Sequence, residues 1–254
     1  MPKRDSLSSS REIPQAIEVF VRGFCETKSR TWPYEFSQIN GIWVLRDAER
    51  KHAKDYRKEE WIAWNQPAEK VHETARNATR GRYFLCPVIG NDDSAQELKT
   101  SYKQLGYRLL STEPLFVHDL KRIPKSKADV TIQLMRTEEH AIAYGKFSGT
   151  RPVPTEELSQ DSFRQYLAWH DDQIVGCVRS VETAHGNWCS NLFVTPTHRR
   201  RGIARSLLSL MLRDDRKREA PRNVLLATHT GAMVYPSLGY HQIGTLFIFA
   251  PKKT

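Results

Sequence analysis

The chain has 254 residues, enough for one large domain or two of about 100 to 150 residues, and its 39% hydrophobic and 10% aromatic content allows a buried core and excludes a disordered, fibrous or low-complexity protein. Its formal charge of +10 favours an anionic partner, whether nucleic acid, a phosphorylated cofactor, an acidic substrate or a membrane surface, without choosing among them. No apolar run approaches the roughly 20 residues of a membrane-spanning helix, and the polar start MPKRDSLSSSREIP has no apolar signal core, so a soluble, cytoplasmic protein is expected.

In chain order, PQAIEVFVRGF reads as a helix and GIWVLRD as a strand. After the charged run AERKHAKDYRKEEW come a helical stretch, AEKVHETARNAT, and a strand, RYFLCPVI, so the first half reads α, β, α, β. The segment DLKRIPKSKADV, Asp119 to Val130, is charged, poor in large apolar residues and contains Pro124. It reads as a linker and divides the chain into domains 1–122 and 130–254, with 123–129 between them. Beyond it, SQDSFRQYLAWHDDQIVGCVRSVET alternates like two strands joined at His170–Gln173, and NWCSNLFV makes a third. A helix starts at about Ile203, with apolar residues at 203, 207 and 211 and at 204, 208 and 212 forming one stripe. NVLLAT is then a short strand, GAMVYPSL a helical turn or two, and HQIGTLFIFA a final strand pair or bent strand.

The phrase Tyr-x-x-Leu-Gly-Tyr occurs at Tyr102 and again at Tyr235, each time after a strand and before apolar strand material. This repetition points to a duplicated domain. Cys25, Cys86, Cys177 and Cys189 form no CxxC pair and have no His at ligand spacing, which predicts buried, reduced thiols and no metal site.

The stretch FVTPTHRRRGIARSLL passes from strand through a basic turn into a helix. Free amides and the positive end of a helix dipole meet there, an arrangement suited to phosphate. Arg199, Arg200 and Arg201 add charge, and Gly202 permits a backbone conformation that a side chain would oppose. A Walker A loop and a dinucleotide fingerprint both require further glycines that this turn lacks. An exposed basic patch is the simpler alternative, but a buried strand and an amphipathic helix on either side argue against it.

RRRGIA fits the Arg/Gln-x-x-Gly-x-Gly/Ala signature, and from about Val130 to Ala250 the chain resembles the GNAT family of N-acetyltransferases. The resemblance implies an α/β (α+β mixed-sheet) protein of two GNAT-like domains, each a mixed, mostly antiparallel sheet flanked by helices. The first would be a degenerate repeat without a cofactor turn, with Trp32, Tyr34, Trp43 and Trp61 as candidate apolar walls or ordinary core residues. It implies acetyl-CoA as co-substrate, the backbone of Leu192, Phe193 and Val194 along the pantetheine arm, and, after Arg199 at the signature position, the amides of Arg200, Arg201, Gly202, Ile203 and Ala204 around the pyrophosphate, with the Arg200 and Arg201 side chains meeting the 3′-phosphate or solvent. Tyr235 stands at the position of the general acid, and a tyrosine with its ordinary pKa near 10 is protonated at neutral pH. For the base, Glu182 is the first candidate, with His185, His198 and ordered water as alternatives and a plain surface role competing for each. Ala204 is an accepted variant of the signature, whereas Thr228 replaces an asparagine that contacts the cofactor in some relatives. An acyl-enzyme on Cys189 lacks a supporting His/Asp constellation.

The expected activity is transfer of acetyl from CoA to a primary amine of a small molecule by direct attack. The alternatives are a non-catalytic acyl-CoA-binding or regulatory module, and an acetyltransferase acting on protein or RNA-associated amines. No RNP, KH or zinc-knuckle pattern is present, so nucleic acid is not an expected partner, nor is a membrane. The protein is expected to be a monomer, as a pseudo-dimer, or a homodimer.

Overall fold

The computed structural model describes residues 6–252, with side chains from Glu12 onward except that of Ala53. The chain forms two compact units. The first holds the chain up to Phe116, Leu226–Ala232 and the segment from Gln242 on; the second holds Val117–Leu225 and Met233–His241.

The first half begins with α1 (Ser6–Ser29) and the strands β1 (Tyr34–Ile39), β2 (Ile42–Asp47) and β3 (Glu59–Trp64). It continues with α2 (Ala68–Ala78), β4 (Tyr83–Gly90), α3 (Ala95–Gln104) and β5 (Tyr107–His118). β1 and β2 form a hairpin around Asn40 and Gly41, both with positive φ (54° and 79°), the Asn-Gly chemistry that a tight hairpin turn demands. β3 and β4 are parallel, and α2 provides the crossover that parallel pairing requires. Trp61, Leu85, Tyr102 and Phe249 lie at the centre of the core, with Tyr102 stacked on Phe249 at 4.5 Å. Trp61 and Tyr34 are therefore core residues, while Trp43 packs on Phe36 and Trp32 is exposed.

The simple α, β, α, β order missed β1, β3 and α3. β3 lies in what reads as a charged run, because its carboxylates are satisfied internally. Glu59 accepts from Trp61 Nε1 at 3.0 Å and from the Arg80 amide at 2.9 Å, while Glu60 meets Lys28 Nζ at 2.7 Å.

Asp47, at the end of β2, is fully buried between Arg50 (2.6 Å) and Arg57. Burial alone would raise its pKa, but hydrogen bonds from Arg50 and Arg57 outweigh it and hold the carboxyl below the usual range. The stability this provides is complete above the unfolded-state pKa of about 3.9 and is lost as pH falls through the lower folded value. In thermal melts, Asp47→Asn should therefore be less stable than the parent chain at pH 7, with the gap narrowing at pH 3.

The second half contains β6 (Thr131–Leu134), α4 (Glu138–Ser148), α5 (Thr155–Leu158), β7 (Phe163–His170), β8 (Gln173–Thr183) and β9 (Gly186–Val194). These are followed by α6 (Ile203–Lys217), β10 (Asn223–Leu226), α7 (His229–Ala232) and β11 (His241–Pro251). The strands of the second unit run in the order β10-β9-β8-β7-β6, all antiparallel except the parallel pair β9–β10. β7 and β8 join at Asp171 and Asp172, both in the left-handed region (φ 47° and 58°), where the alternation places the turn. Leu207, Leu208, Met211 and Leu212 of α6 are completely buried, as the stripe requires. On α4, Ala141 and Tyr144 pack with Leu167 and Cys177 of the sheet.

A buried polar network pins α6. Asp215 receives Arg164 Nη2 at 2.7 Å, Ser180 Oγ at 2.8 Å and Asn223 Nδ2 at 2.8 Å, while Tyr240 OH donates to Asn223 Oδ1 at 2.6 Å. β7, β8, β10 and the residue before β11 are thereby tied to one helix carboxylate.

β11 is a single strand. It pairs antiparallel with β4 from Gly244 to Phe249, so the first unit's strands run β1-β2-β3-β4-β11-β5. A division at 123–129 would assign this strand to the other half; its ladder and its phenylalanines place it from Gln242 on with the first unit.

Candidate functional site

The site grows from the second half of β9. Cys177 lies opposite Phe193 and Arg179 opposite Ser190, so Asn191 and Leu192 together face Val178, a β-bulge with Asn191 at φ 56°. The bulge is held from both sides, since Asn191 Nδ2 donates to Tyr144 OH at 2.6 Å and its carbonyl accepts from Cys177 Sγ at 3.3 Å. β10 pairs with β9 only at Asn187 and Trp188. The rest of β9 can offer its backbone on that edge to an extended guest.

Beyond Val194 the chain makes a short 3-10 turn, Pro196–His198, and enters α6 through Arg200 (φ 63°) and Gly202 (φ 79°). The first helical bond runs from the Ser206 amide to the Gly202 carbonyl at 3.0 Å, and no side chain caps the helix. The amides of Ile203, Ala204 and Arg205 therefore have no carbonyl acceptor within the helix. They open on a cavity of about 490 Å³ whose walls are Leu192, Phe193 and Val194 of the strand, His198, Arg199, Arg200 and Gly202 of the turn, Ile203, Ala204 and Arg205 of the helix, and Val234. Among the described residues, no acidic side chain lines it. Arg199 Nε donates to the Val194 carbonyl at 3.1 Å, which holds its cation beside the strand end.

This cradle fits a phosphorylated, extended ligand: uncapped amides at one end, fixed guanidinium charge, an apolar strand edge and no opposing carboxylate. The turn residues expected from the sequence converge here except Arg201, which is exposed and off the wall. His198, Arg205 and Val234 join them. Arg205 was legible in principle, because the third residue of any helix carries a free amide.

Tyr235 follows Val234, but its side chain is buried, its ring edge-on to Tyr240 at 5.5 Å. Burial, and secondarily the nearby Cys189, push its hydroxyl above the ordinary tyrosine range. Glu182 does not reach the cavity. It pairs in register with Asn187, at the far end of β9 from Val194, a separation of roughly 20 Å at the usual rise per strand residue. There it is half exposed, 3.6 Å from Arg164 Nη1. The β8–β9 hairpin dictates this, because the end of one strand must adjoin the beginning of the next. His185 sits exposed in the same hairpin tip. His198 alone of the candidate bases lies on the cavity wall, its Nδ1 2.9 Å from Thr195 Oγ1. Cys189 is buried, with its thiol pushed well above the usual range by that burial, as befits a core residue. Thr228 receives the Gly231 amide at 3.2 Å at the start of α7. Among the described residues, no helix is long and apolar enough to cross a membrane.

Residues 161–242 match the family described as Acetyltransferase (GNAT) domain. The fold is similar to a GCN5-related N-acetyltransferase from Kribbella flavida, with TM-score 0.66 and 15% identity, covering 94% of this chain and 96% of that one. It is also similar to a functionally unknown conserved protein from Staphylococcus epidermidis, with TM-score 0.60 and 17% identity over 89% and 97% of the two chains. A GCN5-related N-acetyltransferase-like protein from Streptococcus suis gives TM-score 0.54 and 13% identity, covering 94% and 99%. No curated protein matches the sequence. At these identities the likeness establishes the fold: a mixed sheet flanked by helices.

Proposed function

We propose that this protein is an acetyl-CoA-dependent N-acetyltransferase that moves acetyl to a primary amine of a small molecule by direct attack. The observation that carries the reading is the cavity where the uncapped amides of Ile203 to Arg205, the Arg199 and Arg200 side chains and the free edge of β9 meet. The amides and guanidiniums hold the pyrophosphate, and Leu192 to Val194 align the pantetheine arm. Acetyl-CoA supplies the activated thioester carbonyl. Tyr235 carries a proton at neutral pH and serves as the donor to the departing thiolate. The acceptor's proton leaves through His198 or through water, since Glu182 is remote.

A second reading, an acyl-CoA-binding module without turnover, is favoured by two observations: Tyr235 is buried, and Glu182 lies at the other end of β9. Acetyl-CoA with a panel of amino acids, polyamines, aminoglycosides and peptides, followed by thiol release, separates the two. Release with an amine supports transfer; saturable CoA binding with no release from any acceptor selects the binding module. If Tyr235 is the donor, Tyr235→Phe should lower kcat by about a hundredfold or more while leaving CoA affinity within about twofold.

The first half fits the reading of a degenerate repeat. Its order α1-β1-β2-β3-α2-β4-α3-β5 parallels α4-β7-β8-β9-α6-β10-α7-β11, the short α5 aside, and both contain three antiparallel strands followed by a helix and a parallel strand. Its turn from β3 to α2 runs through Asn65, Gln66 and Pro67, without arginine or glycine, which supports loss of the phosphate site.

A further inference from the structure

His118, the last residue of β5, is buried, and both of its ring nitrogens are engaged. The Leu120 amide donates to Nδ1 at 2.8 Å, so the ring proton resides on Nε2, which donates to the Leu238 carbonyl at 3.0 Å. Leu238 belongs to the turn that carries Tyr235: its amide donates to the Tyr235 carbonyl at 2.9 Å, and the Tyr240 amide reaches the same carbonyl at 3.3 Å. The His118 ring stands edge-on to Tyr240 at 5.0 Å, and Tyr240 in turn is edge-on to Tyr235.

Two backbone features fit this clamp. Leu120 holds φ 58°, a conformation a leucine keeps only when its surroundings impose it, and its amide is the one bonded to His118. Gly239 has φ 98°, and a Cβ there would lie 3.0 Å from His118 Nε2 and 3.3 Å from the Arg122 carbonyl. Only glycine lets the turn close on the imidazole.

We propose that His118 is a positioning residue for the proposed acyl transfer: its neutral imidazole ties the Tyr235–Gly239 turn to the Asp119–Arg122 segment and holds Tyr235 in its working place. The inference rests on the reading of Tyr235 as proton donor. A proton added at Nδ1 would set donor against donor at the Leu120 amide, so the clamp loosens in acid. The titratable groups acting on the ring are Asp119 on its own segment, Tyr240 edge-on at the turn, and His241 at the start of β11. Burial lowers the His118 pKa, with the Leu238 carbonyl and Asp119 opposing that shift, so the clamp is intact at neutral pH.

The test uses the full chain, acetyl-CoA and the acceptor that gives most thiol release, with His118→Phe and His118→Gln. Phenylalanine keeps the ring without either hydrogen bond; glutamine restores a donor near the Nε2 position and does not titrate. His118→Phe should lose about tenfold in kcat with the KM for acetyl-CoA within about threefold, and His118→Gln should recover most of that loss. The parent chain should also lose kcat in acid, at a pH below the ordinary imidazole value of about 6.5 because burial lowers that of His118, and this acid limb should be weaker in His118→Gln. A His118→Phe kcat within about threefold of the parent, a loss expressed mainly in KM, or an acid limb unchanged in His118→Gln would each overturn the inference. Should His118→Phe fail to fold by circular dichroism, the pH profile of His118→Gln decides alone. Absence of turnover by the parent chain removes the acetyltransferase reading and this inference with it, whereas an active parent with indifferent variants removes only the inference.

Discussion

Replacing Asp215 with alanine is expected to destabilise the protein by about 3–5 kcal/mol, read as a lowered midpoint in urea denaturation. Both members of the Arg164–Asp215 pair are completely buried, so removing the carboxylate strands a guanidinium away from water. Asp214 at 3.4 Å and Glu182 at 3.6 Å offer only partial compensation, because both are partly exposed and less closely placed. The Ser180 hydroxyl and the Asn223 amide lose their acceptor in the same step, and each buried group left unpaired adds to the loss. A change below about 1 kcal/mol would mean that this network does not set the position of α6.

The second large effect is expected from Gly202→Asp, which should weaken CoA binding at least about a hundredfold, some 2.8 kcal/mol, in isothermal titration. Space is not the obstacle, since a Cβ at this position would have only Ala128 Cβ nearby, at 3.9 Å. Aspartate is among the residues that tolerate a left-handed φ, and it is a favoured helix cap. Its carboxylate would take the free amides of α6 for itself and repel the pyrophosphate. Gly202→Ala shares the backbone strain without the charge, so the difference between the two variants isolates the electrostatic part. Equal affinity in the parent and in Gly202→Asp would show that the phosphate lies elsewhere.

The strand, turn and helix from Gly186 to Lys217 were legible in the sequence because every signal there is local: alternation, a turn with one glycine, then an i, i+4 stripe. The hairpin at Asp171 and Asp172 was legible for the same reason. What escaped depends on partners distant in sequence. β3 is concealed by Glu59 and Glu60 until Lys28, Trp61 and Arg80 are seen to satisfy them. The bulge at Asn191 needs Tyr144 and Cys177, and no composition rule announces it. Glu182 adjoins β9 in sequence yet lies far from its Val194 end, because a hairpin joins the end of one strand to the beginning of the next. Tyr235 was located by its phrase, but its burial against Tyr240 depends on the fold.

The placement of β11 also bears on how the chain is made. The first unit lacks the strand that pairs with β4, and with it Phe247 and Phe249 of its core, until the ribosome has added more than a hundred residues beyond Phe116. At about 5–20 residues per second that interval is on the order of ten seconds, during which the nascent N-terminal half exposes an unpaired β4 edge. The half synthesised first is thus the one that must wait to finish folding, and a fragment ending at Phe116 would leave it waiting permanently.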